Sequence, residues 1–164
     1  MTNILKQIIS FILPITALAI VPLWIEKNRT LHLGFHLFAG LAFILFGLIM
    51  MTITISSFIR IGKGTLAPWS PTKRLVIKGP YRYVRNPMIL GVMTVLLGEA
   101  ISLWSKNILM WTGVFFLINT VYFILYEEPN LEERFGEEYS RYKKHVSRWL
   151  PRSTPFQCEK QIDS

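Results

Sequence analysis

The sequence contains little cysteine and little charge. Of its 164 residues one is cysteine, Cys158, and only 17% are charged. A single cysteine excludes an internal disulfide and a cysteine-rich metal site. Hydrophobic residues make up 51% of the chain and occur in blocks rather than at amphipathic spacing. This composition excludes an ordinary soluble domain of the same length.

Four apolar runs dominate the chain. They cover about residues 8–25, 31–59, 88–104 and 108–126. Because a bilayer core about 30 Å thick needs about 20 helical residues, we predict an all-α, polytopic membrane protein with four transmembrane helices. The first run lacks a small-residue cleavage site and is followed at once by the second. It is therefore expected to be a retained helix rather than a signal peptide.

The net charge of +8 is concentrated beside the apolar runs. Such a distribution orients membrane proteins, so the basic connector after the second run, both termini and the active site are predicted to be cytoplasmic. Nucleic acid is not an expected partner. The short chain has no organelle signal, which favours a prokaryotic inner membrane. The basic connector carries no acid and seven cations: Arg60, Lys63, Lys73, Arg74, Lys78, Arg82 and Arg85.

The connector ends in the stretch GPYRYVRNPMILG, residues 79–91. Gly79-Pro80 predicts a turn, and Asn86-Pro87 predicts the start of a helix, because proline fits the first helical turn. Two tyrosines alternate with two arginines between the prolines. Arginine suits a carboxylate, and a tyrosine ring suits a flat or cationic group. The stretch is therefore a candidate binding loop at a membrane surface.

Two adjacent acids, Glu127 and Glu128, follow the fourth apolar run. They continue a polar and aromatic stripe at helical spacing, formed by Asn119, Tyr122, Phe123 and Tyr126. Such a stripe in a lipid-embedded helix is expected to face inward. From spacing alone, the two acids could equally be solvated helix caps.

Polar residues and glycines within the second and third runs are the other candidates. Glu99 could hydrogen-bond Asn119 of the next helix or line an acceptor pocket, since acids in membrane spans usually face a partner or a cavity. Gly91 and Gly98 lie on one helix face and would let another helix or a ligand approach closely. A histidine pair four residues apart, at positions 32 and 36, has metal-ligand spacing but no third ligand nearby. A structural role is favoured there, and no metal site is predicted.

An amphipathic cytoplasmic helix is predicted after Pro129, over about residues 130–148. Residues 1–151 are expected to form one domain, and residues 152–164 a disordered tail. The apolar face of this helix recurs every three to four residues: Leu131, Phe135, Tyr139, Tyr142, Val146 and Trp149.

Two motifs that bracket a helical hairpin resemble those of the isoprenylcysteine carboxyl methyltransferase and phospholipid methyltransferase superfamily of integral-membrane enzymes. The first is GPYRYVRNPMILG at 79–91, and the resemblance runs from about Arg60 to Pro151. Asn86 stands where the family usually has histidine, and Ile89 where it usually has tyrosine. Asparagine cannot titrate, so an acid–base role at that position is lost. The second motif is filled by Glu127, Glu128, Leu131, Phe135, Gly136, Tyr139, Tyr142, Val146, Arg148 and Pro151.

The resemblance implies methyl transfer from S-adenosylmethionine to a lipophilic acceptor in the membrane. The acceptor could be an isoprenylcysteine-like carboxylate, a phospholipid amine or another small hydrophobic molecule, and no obligate protein partner is expected. Replacing Glu128 by alanine is expected to weaken cofactor binding without unfolding the protein. The candidates near the reacting groups are Arg85, Glu128, Glu99 and Asn119. The implied cofactor-binding residues are Tyr81, Arg85, Asn86, Pro87, Gly91, Glu127, Glu128 and Arg148.

Two other functions remain open from the sequence. A membrane reductase of the steroid-reductase type would use the basic loop for the 2′-phosphate of NADPH, although the acidic pair would be an unfavourable neighbour. A non-catalytic lipid-binding protein would use the same loop only for anionic headgroups.

Overall fold

The computed structural model describes residues 12–27, 34–62 and 75–157, and within these ranges the chain forms helices, turns and loops without a β-strand. The predicted all-α class is confirmed for these ranges. Predictions for His32, for the connector segment 63–74 and for Cys158 concern residues outside them.

Helix α1 consists of three consecutive pieces. Ile12–Ile15 is α-helical, Thr16–Ile20 is a π-helical turn, and Val21–Ile25 is again α-helical. The Trp111 indole Nε1 donates to the Ala17 carbonyl at 3.1 Å. This bond ties α1 to the fourth helix.

Helix α2 spans Phe35–Gly62 and helix α3 spans Pro87–Ser102. The two backbones approach closely at pairs of glycines. A Cβ atom added to Gly98 would lie 2.6 Å from the Gly40 carbonyl oxygen, and one added to Gly47 would lie 2.7 Å from the Gly91 carbonyl oxygen. Only glycine allows this distance, so the close approach predicted for Gly91 and Gly98 is confirmed.

Helix α4 spans Lys106–Tyr122 and packs beside α3 after a tight connection. The Ser105 hydroxyl accepts from the Ile108 backbone N–H and donates to the Glu26 carboxylate at the end of α1. Serine at this position satisfies one of the free N–H groups that begin a helix. The third predicted span, 88–104, ends two residues early because Leu103 and Trp104 form the turn.

A single π-helical turn, Phe123–Glu127, joins α4 to α5, which spans Glu128–His145. The cytoplasmic helix predicted over 130–148 thus continues directly from the fourth run. Gly136 interrupts its helical geometry with φ 52° and ψ −127°. Helix α5 therefore has two parts that point in different directions.

Within residues 12–27, 34–62 and 75–157, two helices are long and apolar enough to cross a membrane. They are the Phe35–Ser57 part of α2 and the continuous helix that begins at Lys106. Most of their large apolar side chains are exposed, which suits contact with lipid better than a soluble core. The 16 residues of α3 rise only about 24 Å. Four spans therefore remain a prediction.

The first part of the predicted disordered tail is ordered. The Phe156 side chain is only 8% exposed, and it joins the buried cluster of Leu75, Tyr139, Tyr142 and Val146. Burial of the Phe156 side chain contributes about 1.5–3 kcal/mol toward the order of this segment. The backbone N–H groups of Arg152 and Phe156 also donate to the Tyr83 and Arg82 carbonyls. The disorder prediction is therefore wrong for residues 152–157.

Candidate active site

The loop between the two prolines has the predicted form. Gly79, with φ 57°, begins a 3-10 turn over Gly79–Arg82, and the Tyr83 N–H donates to the Pro80 carbonyl at 3.0 Å. Pro87 is the first residue of α3. The turn and the helix start predicted from Gly-Pro and Asn-Pro are both confirmed.

The chain after α5 fixes the position of this loop. The Arg85 N–H donates to the Ser147 carbonyl, and the Arg152 N–H donates to the Tyr83 carbonyl, both at 3.0 Å. The Tyr142 hydroxyl donates to the Tyr81 carbonyl at 2.6 Å. The loop, the end of α5 and the segment that follows α5 therefore form one structural unit.

Three cations converge on the Glu128 carboxylate. Oε1 lies 2.9 Å from Arg85 Nη1 and 2.5 Å from Arg148 Nε, and Oε2 lies 3.3 Å from Lys143 Nζ. Glu128 is only 3% exposed and the Arg85 side chain only 10%. Arg85 of the basic loop and Glu128 of the acidic pair, 43 residues apart in sequence, thus meet in one cluster, which we call the Glu128 cluster.

The cluster determines the charge of Glu128. Burial acts to raise the pKa of this carboxyl, but the hydrogen bond from Arg148 and the charges of Arg85 and Arg148 outweigh it, so the pKa lies below its ordinary value. Glu128 is therefore an anion at neutral pH. The buried Arg85 guanidinium needs this anion as its counter-ion.

Gly136 explains how Lys143 reaches Glu128. In a straight helix, 15 residues separate two Cα atoms by about 22 Å, which is beyond the reach of both side chains. The backbone at Gly136 adopts φ 52°, which L-residues with a side chain rarely do, and it folds the second part of α5 back. Lys143 then bridges Glu128 and, at 2.8 Å, Glu132.

Buried tyrosines surround the cluster. The Tyr139 hydroxyl accepts from Arg85 Nη1 at 3.2 Å, and the side chain is 2% exposed. Burial raises the pKa of Tyr81 and of Tyr139, so both phenols stay neutral at physiological pH. Tyr139 and Lys143 are members of the site that were not predicted. The helical spacing of Tyr139 and Tyr142 was a sequence signal that could have identified Tyr139, whereas no sequence signal pointed to Lys143.

Glu127 lies in a different environment from its neighbour. It is half-buried at the end of the π-helical turn, and among the described residues its carboxylate accepts one long hydrogen bond, of 3.4 Å, from the Tyr122 hydroxyl. Burial raises the pKa of Glu127 although Tyr122 and Arg134 act to lower it. Glu127 is therefore the carboxylate of the pair with capacity to accept further hydrogen bonds.

Two buried N–H groups beside the cluster have no hydrogen-bond partner among the described residues. They are Arg85 Nε and Trp149 Nε1. The Trp149 ring packs against Phe116 and Phe123 of the fourth helix and its π turn, with ring centroids 5.4 and 5.9 Å apart. An unsatisfied buried donor is costly, so these two groups are suited to a polar ligand.

Three predicted site residues lie elsewhere. Gly91 contacts Gly47 and Met51 of α2, so it serves helix packing. Glu99 lies 12 residues along α3 from Pro87, about 18 Å from the loop. Asn119 donates to the Phe115 carbonyl of its own helix at 2.8 Å.

Glu99 and Asn119 also lie at different depths. Trp111 and Phe115 pack against the buried cluster of Met51, Val92, Val95 and Leu96, so in this antiparallel hairpin Asn119 lies towards the start of α3. Glu99 is about 15 Å away along the axis. The two residues cannot bond to each other or contact one small acceptor. Asn119 is the nearer of the two to the Glu128 cluster, although it lies nine residues before Glu128, about 13 Å along the helix axis.

Metal chemistry has no candidate site in the described ranges, since no group of three or more His, Cys, Asp or Glu side chains comes together there. His36 instead makes an edge contact with Trp104, with ring centroids 5.7 Å apart.

A family model described as phospholipid methyltransferase matches residues 35–138, more than half of the chain. The chain belongs to the phospholipid methyltransferase family. This match covers α2 to the glycine break in α5, and it includes the loop, Glu127 and Glu128. Methyl transfer is the general activity of a phospholipid methyltransferase family, and the resemblance found in the sequence is confirmed.

One curated relative adds a second comparison. An uncharacterized protein from Haemophilus influenzae is 46% identical over 65 residues, which is 38% of this chain and 100% of that protein. No solved structure matches the chain.

Proposed function

We propose that this family member transfers a methyl group from S-adenosylmethionine to a lipophilic acceptor embedded in the membrane. The observation that carries the proposal is the 2.9 Å contact between Arg85 of the loop and Glu128 after the fourth apolar run. It brings the two family motifs into one buried cluster. S-adenosylmethionine supplies an electrophilic methyl group on a sulfonium, together with an ammonium and a carboxylate.

The proposed cofactor contacts follow from the free hydrogen-bonding capacity of the site. Arg85 Nε and Trp149 Nε1 are buried donors suited to the carboxylate. Glu127 has acceptor capacity suited to the ammonium or a ribose hydroxyl. The side chain of Asn86, which precedes α3, makes no helix-capping bond and is a further candidate. The residues of the site therefore fit the cofactor.

We propose that three residues of the cluster position Arg85 rather than bind the cofactor: Glu128, Arg148 and Lys143. Their ion pairs hold Arg85, and Tyr139 fixes the same guanidinium from another side. A guanidinium held in this way loses little conformational freedom when a ligand binds. Alignment of this kind can contribute about 7–11 kcal/mol to a bimolecular reaction in favourable cases.

We propose that the chain crosses the membrane several times and that its site faces the cytoplasm. The acceptor is proposed to enter this site from the bilayer. A carboxylate acceptor needs no base, whereas an ammonium acceptor must first lose a proton. Asn119 is nearer to the Glu128 cluster than Glu99 is, so Asn119 is proposed to lie near the acceptor, and Glu99 is not.

The test uses the purified full chain in nanodiscs. Calorimetry measures S-adenosylmethionine binding, and methyl-labelled cofactor with a lipid extract identifies any methylated product. We expect binding and transfer of label to an extractable lipid. Absence of both would refute the proposal.

The same samples separate the alternatives. Binding of NADPH without S-adenosylmethionine would favour a reductase. A lipid-binding protein would bind neither, and Glu127→Gln would then leave every measured property unchanged. Glu133→Gln is the matched control, because Glu133 is an exposed glutamate of the same helix.

A further inference from the structure

A cavity of about 520 Å³ lies between the end of α2, the start of the loop and residues 156–157. None of the residues proposed to contact S-adenosylmethionine lines it. Its walls are formed by Ile61, Leu75, Ile77, Lys78, Gly79, Arg82, Glu138, Phe156 and Gln157.

The polar part of the cavity is cationic. Lys78 is exposed and has no ion-pair partner in the described ranges. Arg82 donates from Nε to the Phe156 carbonyl at 2.8 Å, which fixes its guanidinium, and its terminal nitrogens bond to no other described residue. Glu138 is the single acid of the lining. Two cations against one acid favour an anionic ligand.

The other walls are apolar, and the cavity lies at the depth of lipid headgroups. Ile61, Leu75 and Ile77 form one side. Ile61 is four residues beyond Ser57, where the part of α2 able to cross a membrane ends. This is a rise of about 6 Å, which corresponds to the headgroup region.

We propose that this cavity binds the headgroup of an anionic phospholipid, with its phosphate at Lys78 and Arg82 and its upper acyl chain along Ile61, Leu75 and Ile77. Basic pockets at the cytoplasmic ends of membrane helices bind anionic headgroups in this way. A free phosphate ion would leave the apolar wall unused. The inference rests on the membrane placement proposed above, but not on methyl transfer.

Native mass spectrometry of the full chain in detergent, with phosphatidylglycerol or phosphatidylcholine added, provides the test. We expect preferential retention of phosphatidylglycerol. Lys78→Gln should weaken that retention about fivefold, and Glu138→Gln should strengthen it by a similar factor. Lys144→Gln is the matched control, because Lys144 is exposed on α5 and does not line the cavity.

Three results on lipid retention would overturn the proposal. They are equal retention of the two lipids, an equal effect of Lys78→Gln and Lys144→Gln, and displacement of the lipid by inorganic phosphate. S-adenosylmethionine binding is measured on the same variants. Its loss in Lys78→Gln alone would assign the cavity to the cofactor site and also overturn the proposal. If neither the wild type nor any variant binds the cofactor, the methyl-transfer proposal is refuted. The lipid-retention measurements still test the lipid-binding proposal in that case.

Discussion

Glu128→Gln is predicted to destabilise the protein strongly, whereas Glu127→Gln is predicted to impair cofactor binding. The two glutamates are adjacent, yet only Glu128 is surrounded by cations. Glutamine is nearly the same size and removes only the charge. The substitution therefore isolates the electrostatic role of each carboxylate.

The magnitude follows from how deeply each partner is buried. The Arg85 side chain is 10% exposed, so it would lose its counter-ion in a low-dielectric environment, which typically costs about 3–5 kcal/mol. The Lys143 side chain is 37% exposed, and its pair with Glu128 contributes at most about 1 kcal/mol. Glutamine retains a hydrogen-bond acceptor for arginine, so we expect a loss of about 3 kcal/mol.

Thermal unfolding of the purified protein in one detergent measures this loss. A decrease of about 3 kcal/mol corresponds to a Tm lower by roughly 10 °C in a chain of this length. Glu127→Gln should unfold within about 2 °C of wild type and lower S-adenosylmethionine affinity about tenfold, since a charged hydrogen bond contributes about 1.5 kcal/mol or more. This prediction replaces the expectation from the sequence that Glu128→Ala leaves the fold intact.

The pH dependence provides an independent check of the same cluster. Because the folded-state pKa of Glu128 lies below its ordinary value of 4.5, its stabilising contribution is fully present above that value. It is lost as the pH falls through the lowered pKa, since the unfolded chain takes up the proton first. This acid-sensitive component should be missing in Glu128→Gln. If Glu128→Gln unfolds at the wild-type temperature and with the wild-type acid profile, the Glu128 cluster does not exist as described.

Three further substitutions test the elements that build the site. Gly98→Ala should destabilise the protein by about 1–3 kcal/mol, because its Cβ would contact the α2 backbone. Gly113→Ala should not, because Gly113 is exposed and has open space around its Cβ. Thermal unfolding in detergent compares the two variants. Gly136→Ala should lower Tm and S-adenosylmethionine affinity together, because a positive φ costs a residue with a side chain about 1–3 kcal/mol and the fold-back of α5 depends on it. Phe156→Ala should speed proteolysis of the 79–86 loop, and equal digestion of wild type and variant would show that the last segment does not hold it.

Local signals in the sequence predicted the turn, the start of α3 and the α2–α3 contact correctly. Gly79-Pro80 and Asn86-Pro87 act through fixed backbone dihedrals, so the turn and the start of α3 needed no tertiary information. The spacing of Gly91 and Gly98 on one face likewise predicted a close backbone contact. Each of these features is decided within about two helical turns of sequence.

Long-range features were not predictable in the same way. Lys143 belongs on the solvated face of a straight helix, and only the backbone break at Gly136 brings it to Glu128. Phe156 lies in a polar tail whose composition indicates disorder, yet a single aromatic side chain finds a place in a buried cluster. Glu99 was chosen because acids are rare in spans, a rule that gives no depth along the helix.

The π-helical turn shows why one residue of register decides the chemistry. A constant helical spacing from Asn119 and Tyr122 places Tyr126 and Glu127 on the inner face. The Glu128 N–H, however, donates to the Phe123 carbonyl, five residues back, so the turn contains one extra residue. The inner face therefore shifts by one position: Tyr126 is 67% exposed, Glu127 is half-buried and Glu128 is 3% exposed. Without this turn, Glu127 would take the place of Glu128 among the cations and no acceptor would remain for a ligand. The extra residue thus allows two identical, adjacent side chains to have one structural role and one proposed binding role.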